Sequence, residues 1–245
     1  MIWVTLGCIV AFAFTVETIA GFGATVISVS LAANLMPLDE LLPIVVPLNV
    51  ALSAYLVGRH ARHVDRGVLV RRFLPSFGLG MPIGLALFNL LPAVALKLLL
   101  GAFLCIFAPL ELRRLTRPGG EDAKPVDGVA QAALLGAAGV IHGALSTGGP
   151  LVVYWAGRAI LDKSVFRATL SALWLATGLV LVANYAATGL VTGATLARSA
   201  MLFVSVFVGI GAGEWLHARV SERRFRVLAY ALLLLTGITL VVTNI

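Results

Sequence analysis

The chain has 245 residues, of which 60% are hydrophobic and only 12% charged, and its mean hydropathy is +1.02. A soluble domain carries about 25% charged residues, so this chain lacks the polar surface to cover a water-facing globule of its size. Disorder, collagen-like repeats and disulfide scaffolds are excluded by the same figures. A pI near 10.1 and a net charge of +7 would suit a nucleic-acid binder if the basic residues formed a stripe. They fall instead in short loops between apolar runs, which signals membrane topology and argues against a nucleic-acid partner.

In chain order the sequence predicts eight apolar blocks, at roughly 2–34, 41–58, 73–89, 93–112, 128–156, 168–186, 196–216 and 225–243. A membrane helix needs about 20 largely apolar residues, so these are spans of an all-α polytopic membrane protein in contact with the lipid bilayer. The opening Met1-Ile2-Trp3-Val4 shows no positively charged region and no evident cleavage site, and reads as an uncleaved first segment. Cys8 and Cys105 lie in apolar stretches without partners at metal or redox spacing, and read as small core hydrophobes. The first and fifth blocks are too long for one ordinary span. Glycine interrupts both, as Gly21-Phe22-Gly23 and as Thr147-Gly148-Gly149-Pro150.

Four connections, 56–72, 111–127, 157–167 and 217–226, carry 16 of the 18 Lys and Arg residues, and the others hold only Lys97 and Arg198. The positive-inside rule makes all four cytoplasmic. The fifth block then enters and leaves on the cytoplasmic face, and the first starts and ends outside. Two broken, re-entrant helical hairpins of about 15 residues per arm satisfy that topology, with tilted spans and one loop violating the rule as the alternative. Both chain termini are expected outside.

The halves also resemble each other. Gly80-Met81-Pro82-Ile83-Gly84 matches Gly209-Ile210-Gly211-Ala212-Gly213, and Gly23 aligns with Gly148 by its place in the interrupted block. The basic loop 56–72 has a nearly neutral counterpart at 184–198, so the halves have opposite orientation. The expected organisation is an N-terminal inverted repeat (1–112), a cytoplasmic linker (113–127) and a C-terminal inverted repeat (128–245), each repeat a broken hairpin plus three transmembrane helices.

The second half carries the run His142-Gly143-Ala144-Leu145-Ser146-Thr147-Gly148-Gly149-Pro150, then Asp162-Lys163-Ser164-Val165-Phe166-Arg167-Ala168-Thr169-Leu170, then Tyr185-Ala186-Ala187-Thr188-Gly189-Leu190. With Gly21-Phe22-Gly23-Ala24-Thr25-Val26-Ile27 in the first half, this ordered set closely resembles the TauE/SafE sulfite exporter family, also called the toluene sulfonate uptake permeases. The resemblance covers nearly the whole chain. One departure is Ser28-Val29-Ser30, where that family usually has a proline. The resemblance implies a carrier in the bacterial cytoplasmic (inner) membrane for sulfur oxyanions, small organosulfonates or related anions.

Ionisable residues within membrane segments are costly and mark function by default. Glu17 lies six residues before Gly23, and His142 six before Gly148. This matched acid and imidazole are expected to bind protons and couple anion movement to a proton gradient. The blander reading is a protonated, hydrogen-bonded Glu17 and a satisfied core His142. At each interruption the second half-helix begins with free backbone N–H groups and partial positive charge, which can hold an anion without a buried Lys or Arg. The expected substrate-binding set is therefore Gly21, Gly23, Thr25 and Ser28 from the first hairpin and Ser146, Thr147, Gly148 and Gly149 from the second. Asn49 and Trp174 join them from neighbouring helices.

The other glycine pairs, Gly80/Gly84 and Gly209/Gly213, have small-xxx-small spacing and read as packing surfaces. Arg167 reads as a snorkelling interfacial residue, Asp162 and Lys163 as a solvated pair, and Glu214 as an interfacial group paired with an arginine. Pro43 and Pro47 suggest a kink. The sequence thus predicts a proton-coupled secondary transporter of sulfite or a small organosulfonate or carboxylate, its site between the two glycine-broken helices. No catalytic residues, cofactor or metal ligands are expected, and a homo-oligomer is compatible with this reading. Two other classes stay open: an intramembrane enzyme using Ser146 and His142, and a non-transporting membrane scaffold. No ATP-binding motif occurs, so transport energy is expected from an ion gradient or a separate protein.

Overall fold

The computed structural model describes residues 1–20, 23–116, 126–160, 162–217, 219 and 222–245. The described residues form helices: α1 (Ile2–Ala20), α2 (Ala24–Ala32), α3 (Leu38–His60), α4 (Arg66–Val68), α5 (Leu74–Leu90), α6 (Ala93–Thr116), α7 (Gly128–Leu145), α8 (Gly149–Ala159), α9 (Lys163–Ala187), α10 (Gly193–His217) and α11 (Glu222–Asn244). A 3-10 turn at Ala61–His63 precedes α4, and a π turn at Leu69–Phe73 joins α4 to α5. Among the described residues, eight stretches are long and apolar enough to cross a membrane. Only α2 and α8, of 9 and 11 residues, are half-length among the longer helices. Large apolar side chains such as Leu79 (77% exposed) and Phe207 (70%) cover outward faces, a surface suited to lipid.

Both long blocks are interrupted, but not at their middles. The first arms, α1 and α7, run 19 and 18 residues, about 28 and 27 Å at 1.5 Å per residue. No proline lies in either first arm, so nothing stops the helix sooner. The fifth block then doubles back. Gly148 lies against Ala138 and His142 of α7, and further along α8 the Trp155 indole N–H donates to the Val126 carbonyl (2.9 Å), just before α7 begins. The two arms are antiparallel, with their open end at residues 126–128 and 159.

The chain packs as two compact units. One comprises Met1–Leu41, Leu91–Ala123 and Ala200–Ile245; the other comprises Leu42–Leu90 and Lys124–Ser199. Each draws on both halves of the sequence. In the first unit α1 packs on α10 through glycine. A Cβ on Gly209 would stand 2.4 Å from the Ala11 carbonyl oxygen, and one on Gly213 2.5 Å from Thr18 Cβ. The Thr15 hydroxyl ties the pair by donating to the Gly209 carbonyl (3.1 Å). In the same unit α6 packs on α11, where Gly101 and Gly237 each face the other's carbonyl.

In the second unit α5 packs on α7 by the same device. Cβ atoms on Gly80, Gly84, Gly139 and Gly143 would meet the carbonyl oxygens of Gly136, Val140, Phe77 and Met81 at 2.1, 2.0, 2.1 and 2.3 Å. Here backbone touches backbone, as the small-residue spacing predicts. α3 meets α9, with Gly178 against Val50. Pro43 and Pro47 lie inside α3, where a proline removes one helical N–H and strains the neighbouring carbonyls. Ser199 donates to the Ile44 carbonyl at 2.8 Å, beside the carbonyl that Pro47 leaves without its N–H.

Several expectations change. Cys8 is exposed and Cys105 half-buried, so neither is core: an apolar run does not distinguish lipid from interior. The fourth apolar block was expected to end near 112, but α6 continues to Thr116, with Glu111 buried against Arg114 (2.7 Å). Asp162 caps α9 by accepting the Ser164 and Val165 N–H groups (2.9 Å each). Its sequence reading as a solvated partner of Lys163 missed that role.

The glycine seam yields a sign test. Gly84→Ala drives a Cβ into backbone and is expected to destabilise the protein by about 1–3 kcal/mol. Gly78→Ala in the same helix meets nothing within 4 Å and is expected to stabilise by up to about 1 kcal/mol through helix propensity. Thermal unfolding in detergent separates the two.

Candidate functional site

The break between α7 and α8 is built from four local choices. The Ser146 N–H closes α7 on the His142 carbonyl (2.8 Å). Ser146 is left-handed (φ 56°), the only non-glycine described residue with positive φ; this conformation costs about 1–2 kcal/mol outside glycine. Gly148 permits the return because a Cβ there would stand 2.1 Å from the Ala138 carbonyl oxygen. Pro150 lies in the first turn of α8, where its fixed φ suits a helix start and its missing N–H costs nothing.

Among the described residues no side chain caps α8, and its first intrahelical bond runs from the Val152 N–H to the Gly148 carbonyl. The N–H groups of Gly149 and Leu151 therefore face the break. Around it stand side chains from three helices. The His142 ring lies 5.4 Å from both the Phe77 ring of α5 and the Trp174 ring of α9. Phe77 and Trp174 are 6.4 Å apart, and Gly149 abuts the far edge of the indole. Inside this apolar wall both His142 ring nitrogens and the Thr147 hydroxyl are buried without a hydrogen-bond partner among the described residues. A buried polar group left unpaired costs about 1–3 kcal/mol. The helix N-terminus adds roughly half a positive charge, so the arrangement suits a small oxyanion.

The break between α1 and α2 differs. Gly23 takes φ 110°, which glycine alone adopts freely. The Ala24 N–H at the start of α2 donates to a Glu17 carboxylate oxygen at 2.7 Å. The protein's own acid thus meets this helix N-terminus. Ser28 is fully buried and its hydroxyl lacks a partner among the described residues, while Thr25 is half-buried. Gly21 lies outside the described residues.

The structure therefore gathers His142, Thr147, Gly148, Gly149 and Trp174 about one break, with Ser146 shaping it. Asn49 is half-buried on α3 and hydrogen-bonds Ser53 one turn on (3.5 Å); its neighbour Val50 meets Gly178, one turn beyond Trp174. Glu17 and His142, matched in sequence, hold different posts: one caps a helix, the other sits in an aromatic slot. Ser146 and His142 share no side-chain hydrogen bond, which a nucleophile and its base require. Sequence reasoning missed Phe77. Its signal is the Phe77–Met81–Gly84–Phe88 face of α5, buried throughout.

Half-helices that begin at buried breaks, set among helices long enough to span a bilayer, are the construction of membrane transporters. Residues 6–240 match the family model described as Sulfite exporter TauE/SafE, and the chain belongs to that family. No match is found among the curated proteins or the solved structures.

Thr147→Val removes an unpaired hydroxyl while keeping the shape of the side chain. Its expected effect on thermal stability is neutral or favourable. Gly148→Ala, clashing with the Ala138 carbonyl, is expected to lower stability by about 1–3 kcal/mol in the same unfolding measurement.

Proposed function

We propose that the protein is a proton-coupled secondary transporter that moves sulfite, or a small organosulfonate or carboxylate, across the cytoplasmic (inner) membrane. The anion sits at the N-terminus of α8. The observation that carries this reading is the set of unpartnered buried polar groups there: the Thr147 hydroxyl and the two His142 ring nitrogens, beside a helix start with no side-chain cap. Together they offer hydrogen-bond donors and partial positive charge without a buried Lys or Arg.

Glu17 is the second proton site of this mechanism. Its carboxylate accepts the Ala24 N–H, a bond strengthened by negative charge at a helix N-terminus. Protonation weakens that bond, so proton occupancy is linked to the junction of α1 and α2. His142 supplies a group that becomes a donor at both nitrogens when protonated, which favours a bound anion.

Helix pairing supports the inverted-repeat organisation into 1–112 and 128–245. If α1, α3, α5 and α6 correspond to α7, α9, α10 and α11, the contact of α1 with α10 maps onto that of α7 with α5. The pairs α6–α11 and α3–α9 each map onto themselves. With the basic connections on the cytoplasmic side, the α7–α8 hairpin opens inward, the α1–α2 hairpin outward, and both termini lie outside.

The test is uptake of labelled sulfite and of a small sulfonate into proteoliposomes, with and without a proton gradient. Flux is expected to follow the gradient and to fall about 10- to 100-fold in Thr147→Val, the range for losing one charge-assisted hydrogen bond. Glu17→Gln and His142→Ala are expected to abolish the response to the gradient. Full gradient response in both variants would remove the proton-coupling mechanism. A folded preparation that moves no anion would overturn the transporter reading of this site.

A further inference from the structure

The second unit holds another buried polar group that the anion seat does not use. Tyr185 is fully buried near the end of α9, and its hydroxyl has no hydrogen-bond partner among the described residues. Its ring packs on Phe88 of α5, with centroids 5.1 Å apart. Phe88 stands eleven residues after Phe77, and Tyr185 eleven after Trp174. Eleven residues are close to three full turns, so each pair shares a helix face about 16 Å apart. The α5–α9 seam therefore carries two aromatic rungs. Phe77 and Trp174 make the first, beside His142; Phe88 and Tyr185 make the second. Unpartnered polar groups occur at both.

Just beyond the second rung, Asn89 and Asn184 exchange side-chain amide hydrogen bonds (3.1 and 3.2 Å) on exposed surface. Tyr185 is thus the last fully buried group before a polar cap, at the end of the unit remote from the mouth of the α7–α8 hairpin. A phenylalanine would pack on Phe88 equally well. The hydroxyl adds only a donor that finds no acceptor among the described residues, and an oxyanion brings acceptors.

We propose that the Tyr185 hydroxyl is a second contact for the transported oxyanion, donating a hydrogen bond as the anion passes between the seat at α8 and the Asn89–Asn184 end. This rests on the anion-carrier reading of the seat. Tyr185 is neutral, so it steadies the anion without trapping it, and it selects for ligands with an exposed acceptor oxygen.

Tyr185→Phe tests this with the full chain. Three quantities are measured: sulfite flux in proteoliposomes, equilibrium sulfite binding by calorimetry, and thermal unfolding. The expected result is flux lowered about tenfold, sulfite affinity within about twofold of wild type, and an unfolding temperature equal or higher, since an unpaired buried hydroxyl has been removed. Wild-type flux in the variant would overturn the proposal and leave the seat at α8 intact. A loss of flux that merely tracks a lower unfolding temperature would overturn it as well, by making Tyr185 structural. Wild-type protein that neither binds nor moves sulfite would overturn the carrier reading itself.

Discussion

The constraint on which the rest of this structure depends is that hydrocarbon offers no hydrogen bonds. Backbone groups released by breaking a membrane helix must find partners in protein or in cargo. This chain breaks helices twice within long apolar blocks. At Gly23 the released N–H of Ala24 is met internally by Glu17. At Ser146–Gly149 no described side chain caps the helix, and the polar atoms of the His142 ring and the Thr147 hydroxyl have no partner among the described residues. The two breaks share a sequence plan yet differ in chemistry: one meets a helix-start N–H with the protein's own carboxylate, and the other leaves its helix start without a side-chain cap among the described residues.

Such a site has to be held still where few polar bonds cross between helices, and the glycine seams do this. Where α5 crosses α7, four glycines place backbone directly on the facing carbonyls. That closeness maximises dispersion contact, the main force between helices when lipid is as apolar as the side chains. It also fixes Phe77 on α5 relative to His142 on α7, because neither helix can slide without a backbone clash. The aromatic slot around the break therefore inherits its geometry from a packing motif that touches the Phe77 backbone itself and reaches Gly143, next to His142.

Much of this was legible in the sequence. The eight spans follow from apolar length, and the two breaks from glycine within overlong blocks. The packing role of Gly80, Gly84, Gly209 and Gly213 follows from their spacing. Helix ends were less legible, because polar turns extend a helix beyond its apolar run: α9 begins at Lys163 through the Asp162 cap, and α6 continues past Glu111. Burial was legible only as apolarity, so Cys8 could not be told from a core residue. The slot was partly visible. His142, Thr147 and Trp174 stood out as polar or amphipathic residues near a break, whereas Phe77, Phe88 and Tyr185 look like any aromatics in an apolar run until neighbouring helices place them in rungs.

The central claim is that the anion seats on the backbone at the start of α8. The most direct measurement is amide hydrogen exchange of the purified protein with and without sulfite, resolved at residues 146–152. The account predicts sulfite-dependent protection there, strongest at Gly149 and Leu151, with residues 23–27 unchanged because Glu17 already occupies that helix start. Protection at residues 23–27 with none at 146–152, in protein that binds sulfite, would contradict it.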